Sequence, residues 1–188
     1  MSRFDFLWNR LSTLVEITER SPNKKLGHTA IMKLVYFLQT LKKVPLGYHF
    51  QLYMYGPYDS SVLGDLRYAE FLGIAKSETV SYPQGSGYLV SAGPEAERIK
   101  QRARGFLQRY EKDIEEVVQE FGDRSAADLE MLSTIVYADQ ELQEKNRRKP
   151  PREMAETVQK IKPRFTAKRI QEEVEALLDK GFLSAVKR

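Results

Sequence analysis

The chain has 188 residues, of which 41% are hydrophobic and 11% aromatic, enough for one substantial domain or two small ones. It has no cysteine, which excludes a disulfide framework, a thiolate nucleophile and cysteine-ligated zinc. No apolar run approaches the length of a membrane span, and charges interrupt residues 1–20, so we expect a cytoplasmic protein with no membrane partner.

The formal net charge of +4 is unevenly distributed along the chain. Residues 145–188 contain 13 Lys or Arg against 6 Asp or Glu, whereas residues 1–144 contain 17 against 20. Such a basic end is typical of a nucleic-acid or acidic-protein contact, and equally of a solvated surface.

Two amphipathic helices are predicted before residue 45. Apolar residues recur at three and four residue spacing from Phe4 to Val15, and the sequence SPN at 21–23 ends that helix. The second helix runs from Gly27 to about Lys43 and is apolar around most of its circumference. We expect it to be the central element of the core.

The stretch YMYGPYDSS, residues 53–61, is predicted to join a strand to a helix. Alternating side chains over residues 48–55 indicate a half-buried strand. Glycine then permits a turn, proline suits a first helical turn, and aspartate or serine caps the amides of a helix that ends at Gly73. Residues 74–92 are predicted to form a β-hairpin with the tip PQGSG.

The order helix, strand, helix, hairpin is that of a winged helix. The remaining residues predict helices over about 94–121, 125–142 and 166–178, and a short helix marked by Met154, Val158 and Ile161. The best linker candidate is NRRKPP, residues 146–151. We therefore expect a mainly α protein with a small antiparallel β-hairpin or sheet. A winged-helix-like domain would span residues 1–93, and a helical C-terminal region would span residues 94–188.

Three segments resemble the YwgA-like bacterial proteins and, more distantly, the Panacea domain of SocA-type antitoxins. They are AIMKLVYFLQ at 30–39, YMYGPYDSSVLGDL at 53–66 and FLGIAKS at 71–77, and the resemblance covers about residues 24–92. It implies a winged-helix-like core without known catalysis that serves antitoxin or regulatory roles by binding a protein. The matching positions are Lys33, Leu34, Tyr36, Tyr55, Gly56, Pro57 and Leu66.

No set of residues in the sequence predicts catalysis. The two histidines, His28 and His49, fall on different predicted elements without metalloprotease spacing. Asp59 and Asp65 are six positions apart, so they point to nearly opposite faces of a helix. We expect no enzyme activity, no cofactor and no metal site.

Clustered tyrosines favour a protein partner, because tyrosine is enriched among interface anchors. The predicted partner-binding residues are Tyr53, Tyr55, Tyr58 and Arg67. The helix at 59–72 carries three carboxylates against one arginine, which disfavours its insertion into DNA. The sequence thus predicts a non-catalytic regulatory or antitoxin-like module that binds a protein, and a homodimer is left open.

The alternative prediction is a winged-helix transcriptional regulator that binds DNA through its basic C-terminal helix. Lysine and arginine near the start of an amphipathic helix are where a recognition helix presents them. The predicted nucleic-acid-binding residues are Arg147, Arg148, Lys149, Arg152, Lys168 and Arg169.

Overall fold

The computed structural model describes residues 3–22, 25–82, 85–145, 147 and 149–183. The chain is mainly helical with short antiparallel strands, which confirms the predicted fold class. The elements in chain order are α1 (Arg3–Arg20), β1 (Leu26–Gly27), α2 (His28–Leu41), β2 (Gln51–Tyr53), β3 (Gly56–Tyr58), α3 (Ser60–Phe71), β4 (Ala75–Tyr82), β5 (Gly85–Ala92), α4 (Ala96–Arg102), α5 (Arg104–Phe121), α6 (Ala126–Glu144), α7 (Pro151–Ile161) and α8 (Ala167–Asp179).

The chain divides into two compact units, and the division differs from the predicted one. Unit 1 contains Met1–Phe50 and Tyr58–Ala126, and unit 2 contains Gln51–Pro57 and Ala127–Arg188. The predicted boundary at residue 93 separates α4 and α5 from the core to which they belong. Periodicity along a helix shows that one face is buried, but it does not show which other element covers that face.

The core of unit 1 is built on α2, as predicted. All side chains over residues 31–38 are buried, because the helix is apolar on most sides. Phe37 of α2 stacks on Phe121 of α5, with 4.2 Å between the ring centroids. This contact places the end of α5 in the same hydrophobic core as α2.

A three-stranded antiparallel sheet in unit 1 has the strand order β1-β5-β4. The predicted hairpin is formed by β4 and β5, in which Ser77 pairs with Val90, and the tip residues 83–84 lie outside the described residues. Leu26 of the two-residue strand β1 pairs with Val90 from the other side. Strand β5 is therefore central, and the hairpin is tied to the start of α2.

Unit 2 contains α6, α7 and α8. Every side chain over residues 129–136 of α6 is buried. Met154 and Val158 of α7 and Ile170 and Val174 of α8 are also buried, as their helical spacing predicts. Pro151 ends the predicted linker and is the first residue of α7, a position that suits proline because its missing amide would have no helical partner there.

None of the helices in the described part of the chain is both long and apolar enough to cross a membrane.

Candidate functional site

The tyrosine-rich stretch forms a tight hairpin rather than one strand leading into a helix. Strands β2 and β3 pair with each other, and Met54 and Tyr55 form the turn between them. Gly56 has a φ of 85°, which favours glycine and lets the chain reverse directly after Tyr55. The predicted strand over 48–55 is therefore shorter than expected, and its alternation ends where the chain turns.

Three consecutive large side chains are exposed at this hairpin. The exposed fractions are 59% for Tyr53, 77% for Met54 and 64% for Tyr55. We call these three residues the aromatic tip. The structure thus brings together Tyr53 and Tyr55 of the predicted partner-binding residues and adds Met54, which sequence analysis did not single out.

A buried ion pair in unit 2 holds the backbone of the aromatic tip. Lys162 donates a hydrogen bond from Nζ to the carbonyl oxygen of Met54, and the same Nζ lies 3.1 Å from Oε1 of Glu130. The second carboxylate oxygen of Glu130 accepts from Arg164 at 2.7 Å. Lys162 and Glu130 are both almost fully buried. A buried charge is tolerated only with such partners, so this arrangement fixes the turn in place.

Tyr58 and Arg67 belong to unit 1 and are not part of the aromatic tip. Tyr58 is half-buried at the end of β3, and Arg67 is exposed on α3. The exposed face of α3 also carries two aromatic rings, Tyr68 and Phe71, which stack with 6.4 Å between centroids. Sequence analysis missed Phe71, although its position four residues after Arg67 puts it on the same helical face.

The carboxylates of α3 are engaged within unit 1. Asp59 caps the helix by accepting hydrogen bonds from the amides of Ser61 at 2.8 Å and His49 at 2.6 Å. Burial alone would raise the pKa of Asp59, but these amide hydrogen bonds lower it below its ordinary value. Glu70 accepts a hydrogen bond from the hydroxyl of Ser77. The exposed face of α3 is less acidic than the helix composition suggests, yet Arg67 is its only cation.

The third carboxylate, Asp65, belongs to a partly buried polar network. It accepts from the hydroxyl of Tyr48 at 2.8 Å and from Arg10 at 3.4 Å. The Arg10 guanidinium contacts the faces of the Phe6 and Tyr48 rings and donates to the carbonyl of Gly47 at 2.6 Å. Burial raises the pKa of Asp65, while Tyr48 and Arg10 oppose that change. Burial, and then the negative charge of Asp65, raise the pKa of Tyr48. The network joins α1, the segment after α2, and α3.

Most of the predicted nucleic-acid-binding cations have partners within the chain. Arg152 pairs with Glu156 at 3.3 Å, Lys168 with Glu172 at 4.0 Å, and Arg169 with Asp128. Lys149 donates to the hydroxyl of Thr157 at 2.8 Å, Arg147 is exposed, and Arg148 lies outside the described residues. The carboxylate partners reduce the positive charge that this region presents to phosphate.

The two histidines are in different surroundings. His28 at the start of α2 stacks on Tyr88 with 4.9 Å between centroids, and burial lowers its pKa although the charge of Glu70 opposes this. His49 is exposed. Across the described residues, no group of three or more His, Cys, Asp or Glu side chains could hold a metal ion.

No protein-family model matches this chain, and no curated protein matches it with significant similarity. The resemblance of residues 24–92 to YwgA-like and Panacea proteins therefore stays a prediction. Most of its matching positions are buried, namely Lys33, Leu34, Tyr36, Gly56, Pro57 and Leu66, whereas Tyr55 is exposed. These residues thus lie mainly in the core and at the turn.

Proposed function

We propose that this chain is a non-catalytic regulatory or antitoxin-like module that binds a protein partner through its aromatic tip. The observation that supports this most directly is the exposure of Tyr53, Met54 and Tyr55 on one short hairpin. Tyrosine supplies a large apolar area with a hydroxyl that remains able to form hydrogen bonds, and methionine adapts to irregular surfaces. Adjacent exposed apolar side chains of this size are unusual on a surface that has no partner.

The hydrogen bond that holds the backbone of the aromatic tip strengthens this proposal. Ordering a loop on binding costs free energy, and a loop that is already held in place avoids much of that cost. Lys162 holds the carbonyl of Met54, and Glu130 neutralises Lys162. The backbone of the tip is fixed while its side chains stay in solvent, which is the arrangement of a preorganised binding element.

The architecture of unit 1 supports the winged-helix-like interpretation. The order α1, β1, α2, α3, β4, β5 places a short strand before two helices and a hairpin after them, and β1 pairs with β5. In the DNA-reading use of such a fold, α3 would lie in the major groove, where basic side chains favour binding. Here its exposed face offers Arg67 with two aromatic rings, which suits a protein surface better than a phosphate backbone.

Affinity capture with matched tyrosine variants tests the proposal. The tagged protein would be captured from its native cells after nuclease treatment, as wild type, as a Tyr53→Ala/Tyr55→Ala double variant and as Tyr88→Ala. Tyr88 is also exposed but lies on β5. We expect a stoichiometric protein that is retained by wild type and Tyr88→Ala and lost from the double variant. Equal retention by all three, with folding intact, would refute a role for the tip.

The alternative is a DNA-binding regulator that uses the basic C-terminal helix. The observation in its favour is the exposure of Lys168, whose side chain is 89% exposed at the start of α8. Its weakness is the pairing of Arg152, Lys168 and Arg169 with carboxylates of the same chain. DNA that co-purifies without nuclease and is lost after nuclease treatment, with no accompanying protein, would favour this alternative.

A further inference from the structure

A small cleft in unit 1, distinct from the aromatic tip, has an apolar floor and a basic rim. Its volume is about 130 Å³, and Trp8, Leu72, Ile74 and Ile99 supply the apolar surface. Small-molecule and cofactor pockets are usually about 300–1,000 Å³, so this cleft has room for little more than one side chain. Its size favours a residue of a peptide over a free ligand.

The rim of the cleft carries an uncompensated positive charge. Arg98 is neutralised by Glu95 at 3.3 Å, and both line the cleft. The guanidinium of Arg102 lies over the ring of Trp8, 5.1 Å from its centroid, and no carboxylate within the described part of the chain pairs with it. A guanidinium held on an aromatic face keeps its donors available for a carboxylate.

Helix α3, which supplies the residue before Leu72, also carries exposed aromatic side chains. Phe71 precedes the cleft residue Leu72 in the chain and is 83% exposed, and its ring stacks with that of Tyr68. An exposed aromatic pair on the helix whose C-cap is the cleft residue Leu72 offers further apolar area to a partner. The cleft, the free cation and the aromatic pair all belong to unit 1.

We propose that this cleft binds a peptide segment of another protein that inserts one aliphatic or aromatic side chain and places a neighbouring carboxylate on Arg102. The inserted side chain contacts Trp8, Leu72 and Ile99, and the carboxylate forms a charge-assisted pair with the guanidinium. This site and the aromatic tip lie in different units, so either can be disproved without the other. A basic segment is rejected, because it would leave Arg102 facing a like charge.

The chain contains its own reporter for this site. Trp8 is its single tryptophan and lines the cleft, so its fluorescence reports occupancy. The full-length protein would be titrated with a pool of blocked hexapeptides in which one Leu, Ile, Phe or Met is followed within two positions by Asp or Glu. A matched pool has Lys or Arg at the acidic position. We expect Trp8 emission to shift with the acidic pool and not with the basic pool.

Three variants sharpen the test. Arg102→Gln should weaken binding of the acidic pool by about tenfold, because one charged hydrogen-bond partner is lost. Arg102→Glu should reverse the preference between the two pools. Arg109→Gln is the matched control, since Arg109 also lies against an aromatic ring, that of Tyr110 at 5.6 Å, but does not line the cleft. It should bind as wild type does.

Several results would overturn the proposal. One is no shift in Trp8 emission at millimolar concentrations of the acidic pool, and another is an equal shift with both pools. A third is unchanged acidic-pool affinity in Arg102→Gln. Finally, if Trp8 emission changes with protein concentration in the absence of peptide, the occupant of the cleft is a second copy of this chain.

Discussion

The carboxylate of Glu130 accounts for two ion pairs, with Lys162 and Arg164, in a buried position. Removing one member of a buried pair typically costs about 3–5 kcal/mol, whereas replacing both by apolar residues is often close to neutral. We therefore expect Glu130→Leu to lower the free energy of unfolding by about 3 kcal/mol, because Lys162 loses its carboxylate. The double variant Glu130→Leu/Lys162→Met should recover most of that loss.

Denaturant unfolding of the single and double variants measures this coupling. Equal losses in both would show that the pair does not interact as the geometry indicates. The double variant also releases the carbonyl of Met54, so it should weaken partner binding through the aromatic tip while leaving stability near that of the wild type.

A second residue with a predictable effect is Asp59, the cap of α3. Replacing a capping aspartate by alanine costs about 1 kcal/mol, and asparagine caps nearly as well. The pKa of Asp59 is lower in the folded chain than in the unfolded one. At a pH between the folded-state and unfolded-state pKa of Asp59, this carboxylate binds more protons in the unfolded chain. Its ionised form therefore stabilises the folded chain above about pH 4, and this stabilisation is lost as the pH falls through the folded-state pKa.

Unfolding curves between pH 2 and pH 7 test both effects. Asp59→Ala should be about 1 kcal/mol less stable at pH 7, and Asp59→Asn should be nearly as stable as wild type there. Both variants should lose the share of the acid dependence that comes from this carboxylate. An unchanged pH profile in Asp59→Asn would contradict the assignment.

At the scale of elements, the packing of α5 on α2 makes α5 part of the hydrophobic core of unit 1. Phe121 is fully buried and stacks on Phe37, so Phe121→Ala should lower the free energy of unfolding by about 3–5 kcal/mol. Phe71→Ala is the control, since Phe71 is exposed and its loss should change stability by no more than about 0.5 kcal/mol. Thermal and denaturant unfolding distinguish the two. Similar losses of unfolding free energy in the two variants would mean that α5 does not share this core.

Most helices and the β4–β5 hairpin could be predicted because each is long enough to show a period. The single helix predicted over about 94–121 is instead two helices, α4 and α5, which meet at Ala103. The β2–β3 hairpin could not be predicted, since strands of three residues show no alternation and Gly56 alone indicates a turn without its pairing. The polar networks of Arg10 and Lys162 could not be predicted either, because no local sequence pattern indicates them. The hydrogen bonds from Arg10 to Leu46 and from Lys162 to Met54 join residues 36 and 108 positions apart, and such proximity arises only in the folded state.

At the scale of the whole molecule, the basic C-terminal region should bind DNA weakly. Six cations that each neutralise a phosphate would give a slope of about −5 for the logarithm of affinity against that of salt concentration. Since Arg152, Lys168 and Arg169 pair with carboxylates, three of the six cations remain to neutralise phosphate, and we expect a slope no steeper than about −3. Fluorescence anisotropy with a labelled duplex measures it. A slope of −5 or steeper, lost in Lys168→Gln/Arg169→Gln, would favour the DNA-binding alternative.

The hydrogen bond from Lys162 to Met54 joins residues 108 positions apart, which has a consequence during biosynthesis. A ribosome adds about 5–20 residues per second, so Met54 is synthesised roughly 5–20 s before Lys162. During that interval the tyrosines and methionine of the aromatic tip have no fixed backbone beneath them. A partner that needs the held conformation would therefore bind only after Lys162 has been synthesised and has reached the carbonyl of Met54.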